Sequence, residues 1–321
     1  MTKDELDQFT NTKISELVEQ GTAKSTLRAY KQDRMRFWRW AKQHHNLEEH
    51  YPVPIEIIIA FILEHLEGNG VPKLKVVTIK RYLSSLAIAH QERGYASPVS
   101  HPKIKLLIRR ARRAYKGQQP VQKLAATAEI IDRLVATCDN TLHGIRNRAL
   151  ILVGFSAGGR RRAELSELDI DDVMNNGNGT YLLKVRSSKT DQEGEGHFVP
   201  VTGRAAIALT EWMSASNIQN GKLFRGIKRN SELMPDISGT TICRVVQKAA
   251  AMAWLDEKQF GAHSLRAGFM TEAVKHNVPM LEAMELSGHK TLIIAQRYYR
   301  NDNIQKNRAA NPLDDKKLDQ E

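Results

Sequence analysis

Cysteine is scarce: the 321 residues contain only Cys138 and Cys243, far apart and with no His or Cys at metal-ligand spacing around them. That pattern excludes a disulfide framework and a zinc site, and it fits a reducing compartment in which both thiols serve as small buried hydrophobes. Long apolar runs are missing as well. No stretch of 18 apolar residues occurs, and the chain is polar from Met1 to Leu6 without a signal-peptide pattern, so a cytosolic protein with no membrane partner is expected. Aromatics make up 6% of the chain, and no aromatic-rich sheet motif of the kind that stacks RNA bases is present. Strand signals are absent from the first hundred residues.

Positive charge is what the chain has in excess. Lys and Arg number 48 against 36 Asp and Glu, a net charge of +12, which favours a polyanionic partner because phosphate neutralisation supplies most of the affinity in DNA binding. RNA and anionic membranes share that attraction. The length suits two domains, each with a core of its own, and 41% hydrophobic residues is ordinary for a globular protein.

The first third reads as all-helical. Leu6 to Glu19 is a short amphipathic segment. Ser25 or Thr26 can cap a second helix to about His44, with Leu27, Tyr30, Phe37, Trp38 and Ala41 inward and a basic outer side that includes Arg28, Lys31 and Arg34. Ile55 to Glu67 is a third helix, stopped by Gly68, and Thr78 to Arg93 a fourth, stopped by Gly94. A helix from Pro102 turns Ile104, Leu107 and Ile108 inward and carries a dense cation cluster, Arg109, Arg110, Arg112, Arg113 and Lys116. Gly117 to Pro120 then reads as linker. These boundaries divide the chain into a helical domain over residues 1–116, a linker over 117–126 and a second domain over 127–321. The cations on both helices are candidates for holding nucleic-acid phosphates.

Beyond the linker, Glu129 to Thr137 and Ile145 to Phe155 are helical and lead into Arg160, Arg161 and Arg162 with Glu164 just after. Thr180 to Arg186 and His197 to Val201 read as two strands of a hairpin whose long polar turn holds Lys189. Arg204 to Met213 and Gly239 to Met252 have helical spacing, with Trp212 and Trp254 expected in the core. The last stretch is the densest in chemistry: His263 and Arg266 three apart, a helix opened near Pro279 and ended at Gly288, then His289, then Tyr298 and Tyr299 nine and ten residues on. Two imidazoles and a guanidinium can neutralise the charge developing on a phosphodiester while a phenol oxygen attacks phosphorus, and no metal is needed. Helical periodicity does not choose between Tyr298 and Tyr299.

The order His-x-x-Arg, Gly-His and Tyr nine residues past that His resembles the C-terminal signature of the tyrosine recombinases, the phage-integrase and Cre-type site-specific DNA recombinases. Upstream, the arginine run is similar to the family's Gly-x-Arg-x-Ser-Glu-Leu motif. Anchoring on Glu164 and Leu165 puts the catalytic arginine at Arg161, with Ala163 in place of the usual Ser. The resemblance implies a mainly α fold: an N-terminal helical core-binding (SAM-like) domain plus an α+β catalytic domain with a small antiparallel sheet, a C-shaped clamp on DNA. It implies Arg161, Lys189, His263, Arg266, His289 and Tyr298 as the catalytic set, with Glu164 orienting its neighbours and Tyr298 chosen by its spacing.

In the roles implied, Arg161 and Arg266 fork onto phosphate oxygens, His263 serves as base, Lys189 protonates the leaving 5′-oxygen and His289 donates to a phosphate oxygen. No cofactor and no metal is implied. The partner would be double-stranded DNA with inverted-repeat sites, bound by a tetramer on two sites that exchanges strands through a Holliday junction, with room for an accessory protein; in a prokaryote the protein would sit at the nucleoid. Type IB topoisomerase-like relaxation and a silent DNA-binding regulator are the alternatives on the same fold.

Overall fold

The computed structural model describes residues 24–115, 123–186 and 196–289, together with residues 2, 12, 13, 16, 17, 20–22, 291, 292, 295, 296 and 298. The chain divides into two units, Met1–Pro120 and Val121–Glu321. Among the described residues, no helix is long and apolar enough to cross a membrane.

The first unit contains α1 (Lys24–His45), α2 (Ile55–Glu67), α3 (Val76–Gln91) and α4 (Pro102–Ala114). Most of the expected segment Leu6 to Glu19 lies outside the described residues; those described between 12 and 21 are helical. The described helix begins at Lys24, so Ser25 and Thr26 fall within its backbone rather than ahead of it. Gly68, at φ +81°, ends α2 by donating its N–H to the Glu64 carbonyl, a left-handed cap that costs glycine nothing.

Aromatic packing builds the core of this unit: Phe37 lies 5.1 Å from Phe61 in a tilted contact, and Trp40 5.0 Å from Phe61 edge to face, ring centre to ring centre. Ile58, Ile62, Ile79, Leu86 and Ile104 complete it. A buried carboxylate ties α1 to α3. Arg81 on α3 donates through Nε and Nη2 to the two oxygens of Asp33 on α1, both at 2.7 Å, and Asp33 is 1% exposed. Arg81→Ala would leave that carboxylate buried and unpaired. The expected loss is about 2 kcal/mol, below the full cost of breaking a buried pair because Arg81 is itself half-exposed, and urea denaturation of the variant measures it.

The second unit places α5 (Ala128–Ala136), α6 (Leu142–Ser156), α8 (Gly203–Ser216), α9 (Gly239–Met252), α10 (Ala262–Lys275) and α11 (Met280–Ser287) with the short α7 (Arg162–Glu167) and one antiparallel sheet in the order β1 (Val173–Gly177), β2 (Thr180–Val185), β3 (His197–Val201). The apolar residues of α6, Ala149 to Val153, are at the centre of the core. Strand β2 alternates as expected, burying Tyr181, Leu183 and Val185, with Leu183 opposite Val199 and Tyr181 opposite Val201.

Strand β1 was not foreseen from the sequence. Four of its five residues are exposed, so it lacks alternation; its signal is the Asn178-Gly179 turn, at φ +51° and +70°, that hairpins it onto β2. Trp212 is fully buried and donates its indole N–H to the Leu223 carbonyl at 2.8 Å. Trp254, expected in the core beside it, is 93% exposed. The helical period does not reach it, because α9 ends at Met252 and Trp254 turns left-handed at φ +58°, leaving Leu255 to pack on the core. Cys138 and Cys243 are half-buried rather than fully interior.

Candidate active site

The site is assembled around two glycines. Gly158 and Gly159 follow α6 at φ +83° and +67°, a backbone that L side chains rarely adopt. Space decides as well as angle. A Cβ on Gly158 would lie 2.2 Å from the Leu286 carbonyl oxygen, and one on Gly159 2.5 Å from the Arg266 Cα. The turn therefore draws the end of α11 and the start of α10 onto the arginine run that follows it.

The three arginines of that run take three environments. Arg160 is 1% exposed, Arg161 is half-buried and Arg162 is exposed. Arg161 precedes α7 and is held by Glu164, whose carboxylate accepts from the Arg161 backbone N–H at 3.1 Å and from Nη1 at 2.6 Å. Glu164, 5% exposed, thus orients the arginine and satisfies an orphan donor of the helix start together.

On α10 the spacing of three puts His263 and Arg266 on one side. Arg266 is 3% exposed; Nη1 donates to the Gly159 carbonyl at 3.1 Å and Nε to Nε2 of His289 at 3.3 Å. Its Nη2 is buried with no hydrogen-bond partner among the described residues. Burial, followed by the charge of Arg161, lowers its pKa to about 10, so it is a cation at neutral pH. His263 is open to solvent on one side, yet partial burial and then the Arg266 and Arg161 charges lower its pKa from the ordinary value.

His289 follows Gly288, which ends α11 at φ +67° and leaves the His289 N–H to bond the Met284 carbonyl at 3.0 Å. Its ring is neutral: burial first, then Arg266, Arg161, His263 and Arg160, lower its pKa to about 4. The partners assign the tautomer. Nε2 accepts from Arg266, so Nδ1 carries the proton and donates to Ser287 Oγ at 2.6 Å. Tyr298 is half-buried against the apolar cluster of Met270, Ala273, Ala283, Met284 and Ala295, with its ring centre 6.4 Å from that of His289.

Arg161, Glu164, His263, Arg266, His289 and Tyr298 are thereby gathered from positions spread over the second unit. A pocket of about 350 Å³ is lined by Lys123, Arg160, Arg161, Arg162, Cys243, His263 and Arg266. Lys189, Lys116 and Tyr299 lie outside the described residues. Sequence reasoning passed over Arg160, Ser287, His197 and the pocket-lining Lys123; only the Ser287-Gly288-His289 order carried a readable signal. In the first unit Arg28, Lys31, Arg109, Arg110, Arg112 and Arg113 are exposed and Arg34 is half-exposed. Arg109, Arg112 and Arg113, with Lys80 and Lys105, rim a cavity of about 670 Å³ between α3 and α4 whose floor is Leu83, Val99, Ile104 and Ile108.

A model of the phage integrase family matches residues 126–304. The chain is 29% identical over 317 residues to an integrase/recombinase xerD homolog of Selenomonas ruminantium, covering 94% of this chain and 89% of that protein. It is 26% identical over 288 residues to the tyrosine recombinase XerC of Thermodesulfovibrio yellowstonii, covering 88% and 87%. Among solved structures, the XerH site-specific recombinase bound to palindromic difH substrate has a TM-score of 0.62 at 18% identity over 89% of this chain and 79% of that one. The Tn1549 transposon integrase in complex with transposon right end DNA has a TM-score of 0.60 at 16% identity over 93% and 96%. These two share the mostly helical fold with its small antiparallel sheet. With the family model matching more than half of its length, the chain belongs to the phage integrase family of tyrosine site-specific recombinases.

Proposed function

We propose that this chain cuts and rejoins double-stranded DNA at specific sites, with Tyr298 as nucleophile. One observation carries the reading. Arg266 is a buried guanidinium braced by Gly159 and His289, with an Nη2 that has no partner among the described residues, in a pocket that Arg161 and His263 also line. A buried donor without a partner costs free energy, and a phosphate oxygen is the acceptor that suits two adjacent guanidinium forks. The structures of relatives bound to difH substrate and to transposon-end DNA support the same partner.

In the reaction, Arg161 and Arg266 hold the non-bridging oxygens of the scissile phosphate as negative charge builds on them. Tyr298 Oη bonds to phosphorus, its proton passing to His263, and the bond to the 5′-oxygen breaks as Lys189 supplies a proton to it. The products are a 3′-phosphotyrosyl link and a free 5′-hydroxyl. Attack by the 5′-hydroxyl of a partner strand reverses the step, so the ester keeps the bond energy and no nucleotide cofactor enters. His289 braces Arg266; donating to a phosphate oxygen requires the opposite tautomer, with the proton on Nε2. Four protomers on two inverted-repeat sites would exchange strands in two rounds through a Holliday junction, and the cations of α1 and α4 would track the DNA backbone.

The test is covalent trapping. Duplexes selected from a random pool by the full chain are nicked at successive positions, incubated with it and denatured, and a protein-DNA adduct is sought. An adduct at one nick position supports the reading; tight sequence-specific binding with no adduct at any position points to a silent DNA-binding protein. The acid limb of the rate adds a second check. His263 acts as base only when neutral, so with its lowered pKa the cleavage rate should climb with pH through a midpoint below the ordinary value of about 6.5 and level off above it. His263→Gln should lower the plateau by about 100-fold and remove that limb, measured by single-turnover cleavage across pH 4.5–8.

A further inference from the structure

Arg160 occupies a free position of the family motif, between Gly159 and Arg161, and nothing in the reaction above uses it. Its surroundings are nonetheless unlike those of a tolerated surface arginine. At 1% exposure its guanidinium joins three separate segments: Nη2 donates to the Leu286 carbonyl at the end of α11, Nη1 donates to Nε2 of His197 at 2.9 Å where β3 begins, and Nη1 lies 3.6 Å from Glu164. A side chain on Gly158 would displace both the Leu286 carbonyl and Arg160 Nη2, so the backbone there is cut to admit the fork.

Two of the segments that Arg160 touches carry groups of the site, and the third lies against them. Leu286 is three residues before His289, Glu164 orients Arg161, and the ring of His197 lies close beside Gly288. Leu286 also presents a helix-terminal carbonyl, which has no partner within its own helix, so the buried fork supplies that bond from another part of the chain.

We infer that Arg160 is a positioning residue for strand cleavage, acting through Leu286, His197 and Glu164 to hold the His289 corner in register with Arg161 and Arg266. This rests on the reading of the site as a strand-cleaving centre. Arg160 also lines the pocket, and its Nε has no partner among the described residues, but both terminal nitrogens of its fork are taken by Leu286 and His197, which leaves the fork to brace rather than to clamp a phosphate.

The experiment uses the full chain with the nicked duplexes described above and compares Arg160→Leu, Arg160→Lys, His197→Ala and the Arg160→Leu/His197→Ala pair. Removing one partner from a buried cluster usually destabilises, although Glu164 keeps Arg161 as a partner when Arg160 is lost, so circular dichroism checks that Arg160→Leu is folded and His197→Ala tests the same bracket should it not be. Arg160→Leu should slow single-turnover cleavage at saturating DNA by about 100-fold, the cost of displacing reacting groups by roughly an ångström, with half-saturation by DNA unchanged. The His197 change should cost a similar factor and the pair no more than the larger single loss, since both break one bracket. A single ammonium reaches either Leu286 or His197 but not both, so Arg160→Lys should recover less than about tenfold.

Nitrogen NMR supplies a readout that loss of packing would not move. His197 should show an unprotonated Nε2 in the wild type and a shifted tautomer balance in Arg160→Leu. Arg160→Leu cleaving within about threefold of wild type overturns the assignment, as do losses that multiply in the pair. A fall in DNA affinity that accounts for the slower cleavage overturns it too. A wild type that forms no adduct overturns the underlying reading and this assignment with it, whereas a cleaving wild type beside an indifferent Arg160→Leu overturns this assignment alone.

Discussion

Tyr298→Phe should abolish the covalent adduct while leaving DNA binding intact. Losing a nucleophile outright costs on the order of 10⁴-fold or more in rate, because the other groups can steady a transition state but cannot form the bond. The substitution is clean on structural grounds. Tyr298 packs against the small apolar cluster of Met270, Ala273, Ala283, Met284 and Ala295, packing that Phe retains, so a cleavage defect would not come from a lost core. A phenol with an ordinary pKa of about 10 is a weak nucleophile at neutral pH, and the reading requires the nearby cations and His263 to draw its proton away. Tyr299→Phe is the matched control and should cleave like the wild type. Fragmentation of the tryptic peptide spanning residues 298–300, taken from the trapped adduct, locates the nucleotide on one ring or the other. An adduct that survives Tyr298→Phe and disappears in Tyr299→Phe would show that the nine-residue spacing chose the wrong neighbour.

Arg266→Ala should slow cleavage by about 10³-fold at saturating DNA, in the range that removal of a preorganised transition-state donor costs. Two effects act in one direction. The phosphate loses a guanidinium from a buried site, where a charge-assisted bond is worth more than at the surface, and His289 loses the partner that holds its Nε2. Arg266→Lys separates them: the charge stays, but one ammonium cannot reach the Gly159 carbonyl, His289 and a phosphate together, so most of the defect should remain. Substrate carrying a neutral methylphosphonate at the scissile position needs less charge neutralisation, so it should narrow the gap between variant and wild type. Equal defects on both substrates would instead mean that Arg266 acts mainly by holding α10 against the Gly158-Gly159 turn.

The helical elements were legible because their ends are local events. Gly68 and Gly288 stop α2 and α11 through left-handed caps within a residue of where the sequence places them, and apolar spacing predicts α9 to the residue. Misreadings came where a local rule met a longer-range one. Trp254 fits the apolar spacing of α9 but follows its end, so the chain turned the indole outward; β1 is a strand only because β2 offers it an edge. The candidate reacting groups stand out for a different reason, since a phenol, two guanidinium groups and imidazoles in a fixed order are a chemical inventory that spacing alone can display.

By itself the sequence determined that inventory, the helix ends and the basic charge, since each depends on residues close in the chain or on composition. Only the tertiary structure decided how three consecutive arginines divide their work, and which nitrogen of His289 carries the proton. Adjacent residues of one type differ only in what surrounds them. The surroundings of Arg160 are set by Leu286, 126 residues away, and those of His289 by Arg266, 23 residues away, so desolvation and hydrogen bonding across folded segments assign roles that neighbours in sequence cannot.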